Sequence, residues 1–163
     1  MKAIFYSTST GNTEEIADKI YKKLEGFELI DISKDGIKKM EECESIIIGS
    51  PTWGEGDLQD DWEDCFDELK EFDFSEKIVA LFGLGDQDGY PDEFVNAMGT
   101  LYEVVKENGA KVVGFTSNNS YEYDFSSADI DGKFIGLVID EDNQSEFTDE
   151  RIENWCNDIK NLI

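Results

Sequence analysis

Apolar positions along the chain fall into short continuous runs separated by stretches of helical period. KAIFY (2–6), FELIDI (27–32), ESIIIGS (44–50) and KIVALFG (77–83) each predict one buried strand, and the unbroken apolar run of the third suits a sheet covered on both faces. Between the first two, Ile16, Ala17, Ile20 and Leu24 recur at helical spacing before Gly26, a residue suited to a helix stop. Asp61 to Phe72 predicts a second helix with Trp62, Phe66 and Leu69 on one face. Pro91 fits a first helical position, Asp92 and Glu93 suit the positive helix end, and Phe94, Ala97, Met98, Leu101 and Val105 form a stripe that stops at Gly109. KVVGFT (111–116) predicts a fifth strand. A polar segment from about Ser117 to Gly132 follows, and KFIGLVID (133–140) then resumes strand character, the pattern of an insertion within the last strand. Thr148 is placed to cap a closing helix whose Ile152, Trp155, Ile159 and Leu162 face the core.

This alternation predicts an α/β, doubly wound three-layer sandwich: five parallel strands in the order 2-1-3-4-5, right-handed crossovers and helices on both faces. At 163 residues, with no internal repeat, low-complexity tract or linker, the chain is expected to form one domain over 1–163. Ligands of such sheets bind beyond the carboxyl ends of the strands, where the strand order reverses, here beside strands one and three. The loops expected to converge there are 7–13, 50–60 and 83–92.

Composition narrows what such a crevice holds. Fourteen Lys and Arg stand against 39 Asp and Glu, a formal charge of -25 that opposes binding to nucleic acid or an anionic membrane surface. A basic protein partner is the natural complement, although acidity also serves solubility alone. The absence of His removes Ser-His and Cys-His nucleophilic systems, zincin motifs and the usual proton shuttle. Cys43, Cys65 and Cys156 lack a CxxC or Cys/His pattern and are expected to be reduced thiols, with neither a disulfide framework nor a zinc site. No apolar stretch is of membrane length and the start MKAIFYS has no long apolar run, so a soluble cytoplasmic protein is expected. Chemistry in the crevice is then a cofactor's.

The first loop, STSTGNT (7–13), carries five hydroxyls, one Gly and no charge between a strand and a helix start, where free backbone N–H groups and the helix dipole favour an anion. Gly11 would let the backbone close around a phosphate. An ordinary helix cap made by Thr10, Asn12 or Thr13 explains the same residues. The loop lacks the GK[ST] ending of a nucleotide triphosphatase, so a bound phosphate would be held rather than transferred. In SPTWGEGDLQ (50–59), Trp53 stands between Thr52 and Gly54 just after a buried strand; it is either a lid on the core or one wall of a ring site. GLGDQDGYPDEF (83–94) repeats the arrangement with Tyr90. A planar ring between Trp53 and Tyr90 would gain stacking of about 0.5–1.5 kcal/mol per pair beyond area burial. A phosphate cradle beside an aromatic pair describes a mononucleotide with a flat heterocycle, and the missing acid–base residues favour a redox cofactor. FMN meets all three constraints.

At this point the sequence resembles the flavodoxins over essentially its whole length: STSTGNT, SPTWGEGDLQDDW and GLGDQDGYPDEF stand in that family's order and spacing. DGKFIGLVIDEDNQS (131–145) and the segment inserted before it resemble the long-chain branch. The 2-1-3-4-5 order is the flavodoxin-like arrangement itself. The resemblance implies that Thr8, Ser9, Thr10, Gly11, Asn12 and Thr13 hold the FMN phosphate, with Thr52 at the ribityl chain. It implies that Trp53 and Tyr90 flank the isoalloxazine, that Leu84, Gly85 and Asp86 meet its pyrimidine edge largely through backbone atoms, and that Asp142 approaches the ribityl hydroxyls. Two positions depart from some relatives: Asn12 stands where a Lys can occur, and Gly54 follows Trp53 where Asn can. Without a lysine the phosphate is poorly neutralised, and Gly54 lets the peptide to Glu55 rotate at low steric cost, so that a carbonyl can accept a hydrogen bond from N5 of a neutral semiquinone.

The implied function is a low-potential one-electron carrier, with tightly but non-covalently bound FMN passing through semiquinone and hydroquinone states, and not an enzyme with a substrate of its own. Glu55, Asp57, Asp60, Asp61, Asp86 and Asp88 would oppose the second reduction, each charge at about 10 Å by roughly 0.4–1.7 kcal/mol for dielectrics of about 80 to 20. The expected partners are basic redox proteins, such as a flavodoxin or ferredoxin reductase and downstream acceptor enzymes, which a monomer meets through a small, salt-sensitive contact. The alternative is an FMN-dependent NAD(P)H:quinone-type reductase of similar fold, which would need a substrate pocket above the flavin. A flavin-free signalling module on the same scaffold is a third reading, and the aromatic pair argues against it. Tyr121, Tyr123 and Phe125 of the insertion are either partner contacts or packing over the sheet edge.

Overall fold

The computed structural model describes residues 1–163. Its first half contains β1 (Lys2–Tyr6), α1 (Asn12–Tyr21), β2 (Phe27–Asp31), a single turn α2 (Ile32–Asp35), β3 (Ser45–Trp53), β4 (Asp57–Leu58) and α3 (Asp60–Glu71). There follow β5 (Ile78–Leu84), α4 (Asn96–Glu107), β6 (Lys111–Val113), β7 (Thr116–Ser117), β8 (Asp129–Ile130), β9 (Lys133–Phe134), β10 (Leu137–Ile139) and α5 (Thr148–Ile159).

The long strands run parallel in the order β2-β1-β3-β5. β6 pairs with Ile78–Ala80 and β10 with Phe82–Leu84 on the outer edge of β5, so the two together form one edge strand divided by residues 114–136. The 2-1-3-4-5 order holds, with the fifth strand interrupted as the pattern implied. Side chains alternate between two apolar faces. Ala3, Phe5, Ile46, Ile48, Val79 and Leu81 meet Trp62, Leu69, Met98 and Leu101 of α3 and α4. Ile4, Ile47, Ala80 and Phe82 meet Ile16, Ile20, Ile152 and Trp155 of α1 and α5. Burial on both sides is why these strands read as continuous apolar runs without a polar phase. The two largest core side chains have their polar atoms satisfied: Trp62 Nε1 donates to Gly49 O (3.0 Å) and Trp155 Nε1 to Gly114 O (2.8 Å). No helix is long and apolar enough to cross a membrane.

The insertion folds as a small antiparallel sheet, β7-β9-β8. Tyr121 and Tyr123 lie over the sheet edge, their rings 5.1 and 5.4 Å from that of Phe134 and 5.9 and 5.3 Å from that of Phe94. Packing accounts for these two, while Phe125 is left 58% exposed.

Three local expectations are corrected. α4 begins at Asn96 rather than at Pro91, because residues 91–95 are committed elsewhere: Pro91 O accepts the Asp124 and Phe125 N–H groups, Phe94 N–H donates to Phe125 O, and Val95 takes a left-handed φ of 50°. Thr148 does not cap α5; its Oγ1 donates to Glu141 Oε1 (2.5 Å), and Phe147 holds the cap position. Leu162 is exposed because α5 ends at Ile159, and Ile163 fills the core position instead.

Candidate functional site

The loop after β1 is held from below. Ser7 N–H donates to Gly49 O (3.3 Å), and the Ser7 side chain is fully buried with no partner for its Oγ. Thr8 Oγ1 accepts the Gly11 N–H (2.9 Å), and Gly11 at φ +93° turns the chain into α1 in a conformation that any side chain would strain. Gly11 is itself the cap residue and no side chain caps the helix, so the cap expected of Thr10, Asn12 or Thr13 is not made. A second support comes from buried Gln59 at the start of α3. Its Nε2 donates to Ser9 Oγ (3.2 Å) and Asp61 Oδ2 (2.8 Å), and its Oε1 accepts the Asp61 N–H (2.8 Å).

β3 overshoots the sheet and folds back on β4, with Trp53 opposite Asp57 and glycines at positive φ in the turn, Gly54 at 49° and Gly56 at 87°. Trp53 stands on this hairpin with 41% of its surface exposed. Thr52 Oγ1 accepts the Ala97 N–H (3.2 Å), supplying the acceptor that the start of α4 lacks from its own cap residue.

At the end of β5 the Gly85 N–H donates to Ile139 O (3.1 Å) and is thereby committed to the sheet. Asp86 Oδ1 accepts from Gly89 N–H (2.8 Å) and Asn143 Nδ2 (2.8 Å), closing a tight turn that presents Tyr90, 49% exposed. These donors, the Gly89 amide foremost, hold the Asp86 carboxyl below the usual carboxylate range against the opposing effect of burial. Asp140, wholly buried after β10, accepts from Gln87 N–H (3.0 Å), Gln87 Nε2 (2.7 Å) and Asn143 Nδ2 (3.0 Å). Asp142 is pushed up, first by desolvation and then by the charges of Asp86, Asp140 and Glu141. Oxygens of Asp86, Asp140 and Asp142 lie within 4.8 Å of one another.

One cleft joins these loops, with about 680 Å³ of free space that is partly open to solvent. Ser9, Thr10, Asn12 and Thr13 line it from the first loop, Thr52, Trp53 and Gly54 from the second, Leu84, Gly85, Asp86 and Tyr90 from the third, and Asp142 from the fourth. Of the residues expected from sequence, Thr8 and Gly11 do not line it; they shape the first loop instead. Pro51 and Glu141 line it without having been expected. Glu141 was within reach, since it adjoins Asp142 in the same acidic run. Gln59, Gln87 and Asn143 carried no signal, because Gln is not a usual cap residue and neutral amides that brace a loop have no fixed spacing. The cleft thus offers hydroxyls and a helix N-terminus at one end, two half-exposed rings at the other and carboxylates around them, without a nucleophile paired to a base.

The sequence profile of the Flavodoxin family matches residues 4–155. The flavodoxin of Synechocystis sp. is 46% identical over 163 residues, 98% of this chain and 96% of its own length. That of Haemophilus influenzae is 46% identical over 160 residues, 96% of this chain and 91% of its own. Among solved structures, the flavodoxin of Fusobacterium nucleatum bound to flavin mononucleotide aligns with a TM-score of 0.94 at 39% identity, covering 98% of this chain and 96% of that one.

Proposed function

This chain belongs to the flavodoxin family, and from that premise we propose that the cleft holds FMN and that the protein is a low-potential carrier docking basic redox proteins at that cleft. It is an electron carrier rather than an enzyme with a substrate of its own. The quinone-reductase alternative finds no support among the relatives named above, which are flavodoxins. The observation that carries the cofactor assignment is the juxtaposition of two half-exposed aromatics with a hydroxyl-lined, uncapped helix N-terminus.

The residues present fit the group. The uncapped α1 leaves backbone donors at the hydroxyl-lined end of the cleft, Ser7 Oγ lies buried without a partner at the start of the same loop, and Gly11 closes the loop where a side chain would be strained. When bound, FMN supplies the one-electron chemistry. Ser9, Thr10, Asn12 and Thr13 would hold its phosphate, Thr52 the ribityl chain, and Trp53 and Tyr90 the two faces of its ring system. Leu84 and Gly85 would meet the ring edge through carbonyls, since the Gly85 N–H is already used by Ile139. Asp86, Glu141 and Asp142 set a negative field there with no lysine to offset it.

That field extends over the docking face. No Lys or Arg occurs in 40–69, 78–105 or 134–150, the segments that carry the loops after β3, β5 and β10. Glu55, Asp57, Asp60, Asp88 and Asp142 are exposed in those segments. Such a surface steers a basic partner to the cleft through a contact that weakens as salt rises. Titration of apoprotein with FMN tests the site: a stable yellow complex with quenched flavin fluorescence is expected, and a protein that retains no FMN through gel filtration refutes the assignment. Association with a basic reductase should slow as ionic strength rises; a salt-independent rate refutes the docking face.

A further inference from the structure

Gln87 is 3% exposed and does not line the cleft, yet its side chain joins three separate stretches of chain. Its Nε2 donates to Asp140 Oδ2 (2.7 Å), beside the backbone N–H of the same residue (3.0 Å), and its Oε1 accepts the Glu122 N–H (2.7 Å). Asp140 opens the loop that carries Asp142, Glu122 lies in the inserted segment, and Gln87 itself sits between Asp86 and Tyr90. Other bonds run along the same seam. Pro91 O accepts the Asp124 and Phe125 N–H groups (2.8 and 3.0 Å), and Gln144 Nε2 donates to Ser120 O (2.8 Å) while its Oε1 accepts from Arg151 Nη2 (2.7 Å).

The turn that presents Tyr90 needs such a brace. Asp88, Gly89 and Tyr90 are exposed, so the turn has little apolar burial to fix its orientation, and its base is held by polar bonds. A neutral amide with both ends used by fixed partners, one of them a buried carboxylate, is a strong directional tether of the kind that holds a site to within fractions of an ångström.

We propose that Gln87 is a positioning residue for the cleft, and that the inserted segment braces the Tyr90 turn through it and so governs how tightly a flat ring is held. The proposal rests on the cleft being the FMN site and adds to it a residue that touches no cofactor. Gln87→Leu keeps the side-chain volume but removes both bonds. Dissociation constants for FMN and for riboflavin should then rise by the same factor, about tenfold, the low end for loss of a hydrogen bond to a charged group. Inorganic phosphate binding to the apoprotein should stay unchanged, because the phosphate end is held by Gln59 and Thr8. A merely structural role would weaken phosphate binding along with flavin binding. The proposal is overturned if the variant binds both flavins as tightly as the unaltered protein, or loses phosphate to the same extent.

Coupling is reciprocal, so FMN must in turn steady the insertion. In the unaltered protein, FMN should slow hydrogen exchange at the amides of Glu122, Asp124 and Phe125, and unchanged exchange there overturns the proposal whether or not the Leu variant folds. Unaltered apoprotein that takes up no FMN would instead refute the cofactor reading itself.

Discussion

Trp53→Ala isolates the ring-holding half of the cleft. Trp53 leaves 41% of its surface exposed, which is roughly 100 Å² of a side chain that offers up to about 250 Å². If a flat ring covers half of that area, the transfer contribution at about 25 cal/mol per Å² is about 1.2 kcal/mol, and stacking adds about 0.5–1.5 kcal/mol. The substitution should therefore weaken FMN binding by about 1.7–2.7 kcal/mol, roughly 20- to 100-fold in Kd. Quenching of flavin fluorescence on titration into apoprotein measures this directly. Riboflavin should lose affinity by the same factor, Trp53→Phe should lose less because a ring remains, and inorganic phosphate should bind as before. The hairpin tip contributes little to the core, so the apoprotein's urea midpoint should barely move. An unchanged FMN affinity, or an equal loss for phosphate, would refute the claim that this indole forms one wall of a ring site.

Four further outcomes follow from the structure. Gly49→Ala places a Cβ 1.9 Å from Phe82 Cζ at a buried position of β3 and should cost about 1–3 kcal/mol or more, read as a lower urea midpoint at constant slope. Burial pushes the thiols of Cys65 and Cys156 up to about 11 and raises that of Cys43, so a thiol reagent at pH 8 should label the native protein slowly and the unfolded protein fast. A β-branched residue at Gly54, whose φ is +49°, should lower the yield of one-electron-reduced flavin during titration; an unchanged yield would show that this peptide does not turn toward the ring. Asp86 and Asp142 predict opposite pH effects on apoprotein stability. The lowered Asp86 contributes stability present above the ordinary carboxylate value and lost as pH falls through its folded value, whereas the raised Asp142 costs stability at neutral pH that is relieved as pH falls through its own. Asp142→Asn should then raise the apoprotein's Tm at pH 7 with the gain vanishing in acid, and Asp86→Asn should lower it at pH 7.

The architecture was legible because a parallel sheet buried on both faces writes its strands as apolar runs such as SIIIGS, and its helices as stripes such as Ile16, Ala17 and Ile20. The split fifth strand could also be read, since a polar stretch interrupts two halves of strand character. Helix starts were less legible. Pro91, Asp92 and Glu93 are good first-turn residues, but the insertion takes up the hydrogen-bonding groups around them, a long-range contact that no local spacing encodes. The cleft divided the same way. Residues with chemistry of their own, Trp53, Tyr90 and the hydroxyls of the first loop, stood out by type and place. The amides that brace them did not: Gln59, Gln87 and Asn143 acquire their roles from partners 50, 35 and 57 positions away.

Reductive titration of the FMN-loaded protein, followed by its visible spectrum, tests the central claim most directly. An electron carrier of this description should begin yellow, pass through a long-wavelength absorbing one-electron form and then bleach at low potential, with no dependence on a small-molecule substrate. A flavin that goes from yellow to bleached in one two-electron step, or a protein that NAD(P)H reduces rapidly without a partner, would contradict it.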